Sequence, residues 1–129
     1  MVEIGLATLL NSTPAISALV SNRIFPVALP ADWNNQPSIT YQSVSSKVLY
    51  NFDGSKVITK RLDFDVWSQS YLSSKTLQLL IIKTLVPFTG LLSTGEMVIC
   101  IEAGSEIDSF ETDSRTYRNL AEIIVTYSS

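Results

Sequence analysis

In the run KRLDFDVWSQSY, Leu62, Phe64 and Val66 alternate with Arg61, Asp63, Asp65 and Trp67. Strict alternation over this length predicts a half-buried antiparallel strand over Lys60–Trp67, with its charged side chains on a wet face. A helical period takes over next. Leu77, Leu80, Ile81 and Leu85 recur at helix spacing within Ser70–Val86, Ser73 or Ser74 can cap the start, and Pro87 ends the run. Leu79, Ile82 and Val86 widen the apolar stripe, which predicts a helix covered on more than one side. Near the N-terminus the period is also helical. Val2, Leu6, Leu9 and Leu10 fall near one face, and a second short helix follows with Ser12 or Thr13 as cap and Pro14 in its first turn. Its buried stripe is Ile16, Leu19 and Val20.

Between these elements the pattern is carried by turn formers and β-branched residues. PVALPADWNNQP, Pro26–Pro37, has three prolines around a polar centre and reads as a loop or an extended arm. SITYQSVS, Ser38–Ser45, reads as a strand, and Asp53-Gly54 marks a hairpin between it and the alternating strand. A glycine-bearing loop, FTGLLSTG, leads to a third strand over Glu96–Ala103, and a last one runs from about Tyr117 to Tyr127. The expected architecture is one α+β domain over 1–129. It has a mainly antiparallel sheet of about four strands, one long helix packed on a face, and two short N-terminal helices.

Composition narrows the chemistry. The 129 residues are 46% hydrophobic and 16% charged, which fits a globular chain with a sizeable core. A net charge of −3 and scattered basic residues give no electrostatic footprint for gripping a phosphate backbone. There is no histidine, which removes the commonest general base and transition-metal ligand. With a single cysteine besides, a zinc site of the usual kind cannot be built. Cys100, inside MVICIE, is expected to be a buried structural thiol. Met1 is followed by VEIGLATLL with no basic run, and no apolar run approaches a membrane span, so the expected place of synthesis is a cytoplasm, with no membrane partner.

Three features carry candidate chemistry. Asp63 and Asp65 share a strand face with their Cβ atoms about 7 Å apart. That spacing suits an acid/base pair or a hard-cation site in principle. Neither has further ligands or a cleft in view, so Arg61, Asp63, Asp65 and Trp67 are read as a polar subunit interface or a solvent face. Trp33 either folds back on the domain as a lid or anchors in a partner's pocket, as interface tryptophans do. Glu106, Asp108, Glu111 and Asp113 lie in a stretch with no basic residue before Arg115. It is expected to be an acidic loop, solvated or facing a partner or channel. No catalytic residue, cofactor site or metal site is assigned.

The order of these pieces resembles the tail completion, or tail terminator, family of long-tailed bacteriophages. The carrying stretches are ALVSNRIFP (Ala18–Pro26), QPSITYQSVS (Gln36–Ser45), Asp53-Gly54, KRLDFDVWSQSYLSSKTLQLLIIKTL (Lys60–Leu85), and acidic residues ahead of TYRNLAEIIVTY (Thr116–Tyr127). The closing EIIVTY is more aliphatic than the family pattern. The resemblance implies a non-enzymatic virion protein that forms a ring, usually a hexamer, on the end of the tail tube. Its implied partners are further copies of itself, the tail tube protein and the head-neck connector or stopper, with DNA passing through the lumen unread. A neck adaptor or stopper and a minor tail-tube subunit are the neighbouring alternatives. A monomeric ligand-binding module with a pocket under the long helix is the alternative from another class, and an enzyme using Asp63 and Asp65 ranks last.

Overall fold

The computed structural model describes residues 1–128. Along the chain run α1 (Val2–Asn11), α2 (Pro14–Val20), β1 (Ile24–Pro26), β2 (Ser38–Tyr50), β3 (Lys56–Ser68), α3 (Tyr71–Leu85), β4 (Gly90–Leu91), β5 (Met97–Glu111) and β6 (Thr116–Ser128). The strands form one six-stranded sheet in the order β1-β2-β3-β6-β5-β4. β1 joins β2 in parallel, and every other pairing is antiparallel.

This corrects the expected four-stranded α+β domain dominated by one long helix. The sheet has six strands, is mixed, and is the larger part of the molecule; α3, the longest helix, has only 15 residues. β1 and β4 are three and two residues long, too short to show any period. β2 and β5 run far past their expected ends, through stretches that bury almost nothing. Backbone pairing holds them as strands there, not an apolar face.

The helices sit on one face of the sheet for legible reasons. α1 buries Val2, Leu6 and Leu10. It also approaches residues 92–94 so closely that a Cβ on Gly5 would lie 2.6 Å from Thr94 Oγ1 and 2.9 Å from Leu92 Cδ1, so a larger residue there forces those side chains to move. Pro14 occupies the first turn of α2, and Ser21 and Asn22 at φ 45° and 69° end that helix and turn the chain into β1. The cap of α3 is Ser70, not Ser73 or Ser74: its hydroxyl accepts the Ser73 N–H at 3.3 Å. Leu77, Gln78, Ile81 and Leu85 then press onto the sheet. They meet Leu62, Phe64 and Val66 of β3 and Ile123 and Val125 of β6, all without exposure. Each of the apolar side chains among them contributes about 1.5–3 kcal/mol relative to exposure. The underside of α3 is thus packed against the sheet by Leu77, Ile81 and Leu85. No single helix among the described residues is long and apolar enough to cross a membrane.

Cys100 is exposed, contrary to the expected buried thiol. A register shift between Val98 and Cys100 explains this. Val98 and Ile101 both reach the core across the irregularity, and Cys100 is turned to the opposite face.

Candidate functional site

Arg61, Asp63, Asp65 and Trp67 do share the sheet face that no helix covers. Their neighbours across β6 are Ile124, Glu122, Leu120 and Arg118. The face is less uniformly wet than alternation implied, because Asp65 is buried. Arg118 covers it. Its Nη2 donates to Asp65 Oδ2 at 3.1 Å, its guanidinium stands 5.1 Å from the centre of the Trp67 ring, and its Nη1 lies 3.8 Å from Glu111 Oε1. The Asp65 hydrogen bond, with further carboxylates nearby, raises the Arg118 pKa. Trp67 is itself fixed by donating Nε1–H to Thr40 Oγ1 at 2.9 Å. The other oxygen of Asp65 is buried without a partner.

Asp63 has a different environment. Partial burial pushes its carboxyl pKa up, and the neighbouring Asp65 and Glu122 carboxylates add to the shift. Arg61 leans toward Glu122 instead, at 3.9 Å. The face is therefore a lattice of paired and opposed charges on a rigid sheet, with one aromatic–guanidinium stack at its end. No group of three or more Cys, Asp or Glu side chains among the described residues is placed to hold a metal ion.

Trp33 stands apart from this lattice, in the loop between β1 and β2. It is half-buried, and its Nε1–H lies 3.1 Å from the Gln36 carbonyl and 2.9 Å from Ser38 Oγ. Ser38 pairs with Trp67 across β2 and β3, so the tryptophan arm is tied to the same end of the sheet.

The acidic stretch is a strand and a turn, which corrects the expected loop. Glu106, Asp108 and Glu111 lie in β5, and Asp113 lies in the turn to β6. Asp108 is engaged from above. Tyr71 Oη donates to it at 3.0 Å, Lys75 Nζ at 3.3 Å and Asn119 Nδ2 at 2.7 Å. Burial alone would raise its pKa, but those hydrogen bonds and the Lys75 charge hold it below the usual carboxylate range. Beside it Tyr71, Tyr117 and Phe110 stack edge to face, with ring centres 5.5 and 4.9 Å apart. Glu106 and Asp113 have no ion-pair partner among the described residues.

A surface that sequence reasoning passed over is the distal end of the β2–β3 hairpin. Val44, Val48, Leu49, Tyr50 and Phe52 are all exposed there. The available signal was the run VLYNF directly before Asp53-Gly54, an apolar cluster around a turn with no burial to account for it. Near the base of that hairpin a hollow of about 530 Å³ opens between α1 and the edge of β2, lined by Met1, Ile4, Val27 and Tyr41 among others.

No family model and no curated protein matches this chain. Among solved structures, it is similar in fold to a chain of the "Virion of native gene transfer agent (GTA) particle". The TM-score is 0.75 and the identity 12%, and the match covers 96% of this chain and 92% of that one.

Proposed function

We propose that this chain is a structural protein of a phage-like virion, built into a ring that caps the finished tail tube. The ring would end tube polymerisation and offer the head-neck connector a docking surface, with DNA passing through its centre and no chemical step involved. The observation that carries the virion role is the fold likeness, over nearly the whole of both chains, to a chain of a virion. The tail-end position and the hexameric state rest on the family resemblance of the sequence. The sheet supports ring formation, because a cyclic contact needs two unlike surfaces on each copy and this sheet ends in two unlike edges.

In this reading the uncovered face bearing Arg61, Asp63, Asp65 and Trp67, with the Trp33 arm at its end, meets partner subunits. The acidic strand with Glu106, Asp108 and Glu111, and Asp113 beyond it, faces a neighbour or the lumen. The slight acidic balance suits a passage that must release DNA. Gold labelling of a tagged copy in purified particles tests the assignment. One label cluster at the head–tail junction is expected. Label along the tube would make the chain a tube subunit, and particles without label would remove the virion role.

A further inference from the structure

The two outer sides of the sheet are unequally finished. β1 covers the edge of β2 only at Ile39, Thr40 and Tyr41. The chain then leaves at Val27, whose φ of 67° is a strained value for a β-branched residue. From Gln42 to Tyr50 the outer edge of β2 has no strand beside it among the described residues. On the opposite side β4 covers β5 only at Met97 and Val98. The edge of β5 from Ile99 to Glu111 is likewise unpaired. Long open edges of this kind are templates for another strand, and soluble proteins ordinarily blunt or cover them.

The two edges complement each other. Along its open reach β5 carries Glu102, Glu106, Asp108 and Glu111 and no basic residue. Asp108 and Glu111 are engaged within the chain, which leaves Glu102 and Glu106 unpaired among the described residues. The β2–β3 hairpin carries Lys47 on the edge strand itself and Lys56 one strand in, at the start of β3, both exposed and outside every ion pair among the described residues. Apolar surface matches as well: Val44, Val48 and Leu49 on one side, Ile99, Ile107 and Phe110 on the other. We infer that β5 of one copy pairs with the open edge of β2 on a second copy of this chain, so that the sheet continues from subunit to subunit.

Geometry constrains this seam. β2, β3, β6 and β5 alternate in direction. Because that number of strands is even, a ring with its axis along the strands brings β5 antiparallel to the next β2, like every pair inside the subunit. The covered parts also lie at opposite ends, since β1 sits at the start of β2 and β4 at the start of β5, and these two strands run in opposite directions. The open reaches are therefore offset along the strand axis. Residues 43–47 of β2 and 100–103 of β5 lie level with each other and open, and a stagger of the kind that tilted strands supply on closing lengthens the seam beyond them. The hollow beside Tyr41, with Ile4 and Val27 on its walls, gives side chains of the incoming strand a seat.

The inference rests on the ring reading above, and the test separates the two. Solution mass and negative-stain images are compared for the unmodified chain, Lys47→Glu/Lys56→Glu, Glu102→Lys/Glu106→Lys, and the variant carrying all four changes; circular dichroism verifies that each is folded. Rings are expected for the unmodified chain. Each double variant should assemble on the order of tenfold more weakly, because both sides of the seam then carry charge of one sign. The fourfold variant should regain rings. Rings of unchanged stability in both double variants, or no recovery in the fourfold variant, would overturn the seam and leave the ring standing. An unmodified chain that stays monomeric at every concentration would overturn both.

Discussion

β5 and β6 lie side by side along most of their length, yet they lead different lives. β6 alternates buried and half-buried positions from Asn119 to Ser128, with β3 and β5 on its flanks and α3 above. β5 buries only Val98 and Ile101 and exposes nearly everything else. The difference comes from position and not from strand propensity. An interior strand under a helix has somewhere to put its apolar side chains, whereas an outer strand that outruns its cover does not. Stability is thus concentrated on β3, β6 and the helices, and the surfaces free for other molecules are concentrated on β5 and the distal hairpin.

The sharpest way to expose that division is to shorten the same residue on both strands. Ile123→Ala on β6 should lower the unfolding free energy by about 2–5 kcal/mol, measured by urea denaturation. Ile107→Ala on β5 should stay within about 0.5 kcal/mol of the parent. Equal losses at both sites would end the comparison.

A smaller effect is expected where the two strands share a charge. Arg118, on β6, reaches Asp65 and Glu111, so Arg118→Ala leaves the buried Asp65 carboxylate without its charged partner. The expected cost is about 1–2 kcal/mol, kept modest by the partial exposure of the guanidinium. Adding Asp65→Asn should recover part of it, and a double-mutant cycle reads the coupling directly.

Acid titration separates two carboxylates of opposite sign. The Asp108 pKa is held below its ordinary value of 3.8, so the carboxylate stabilises the fold fully above that value and loses its effect as the pH falls through the lowered folded value. Asp108→Asn should therefore be less stable than the parent at neutral pH, and the two should converge in acid. Asp63 behaves inversely. Its raised pKa makes the charged form a cost, fully present above the raised value and gone once the pH is below 3.8. Asp63→Asn should match or exceed the parent at neutral pH, with convergence again in acid. Thermal melts from neutral to acid pH check both signs. The smallest effect is expected at Cys100, exposed on β5: Cys100→Ser should stay within about 0.5 kcal/mol, and a thiol reagent should label the native protein at that residue.

Where apolar residues met a covering helix, the sequence was readable. α1, α2, the Leu77–Ile81–Leu85 stripe of α3 and the middle of β3 follow their hydrophobic periods, because burial between helices and sheet is what those periods encode. Leu79, expected to widen the α3 stripe, is exposed while Gln78 is buried. The outer parts of the sheet were not readable, for the same reason. Lys47–Tyr50 and Glu102–Glu111 are strands with no buried face, so backbone pairing alone defines them and their side chains looked like loop. Asp65 appeared solvated because the residue that covers it, Arg118, is distant in sequence. Cys100 appeared buried because a register irregularity reverses the face of β5 beside it. Among the candidate contact residues, Arg61, Asp63, Asp65 and Trp67 could be placed on one face from alternation. The apolar hairpin tip was signalled by the run VLYNF before Asp53-Gly54, whereas the two open edges needed the sheet order itself.

The central claim, that this sheet is finished only by other copies of itself in a ring, is tested most directly by imaging the purified chain at high concentration while weighing it by light scattering. The account predicts closed rings with an open centre and a mass that is a single whole-number multiple of the chain. A monomer at every concentration would contradict it.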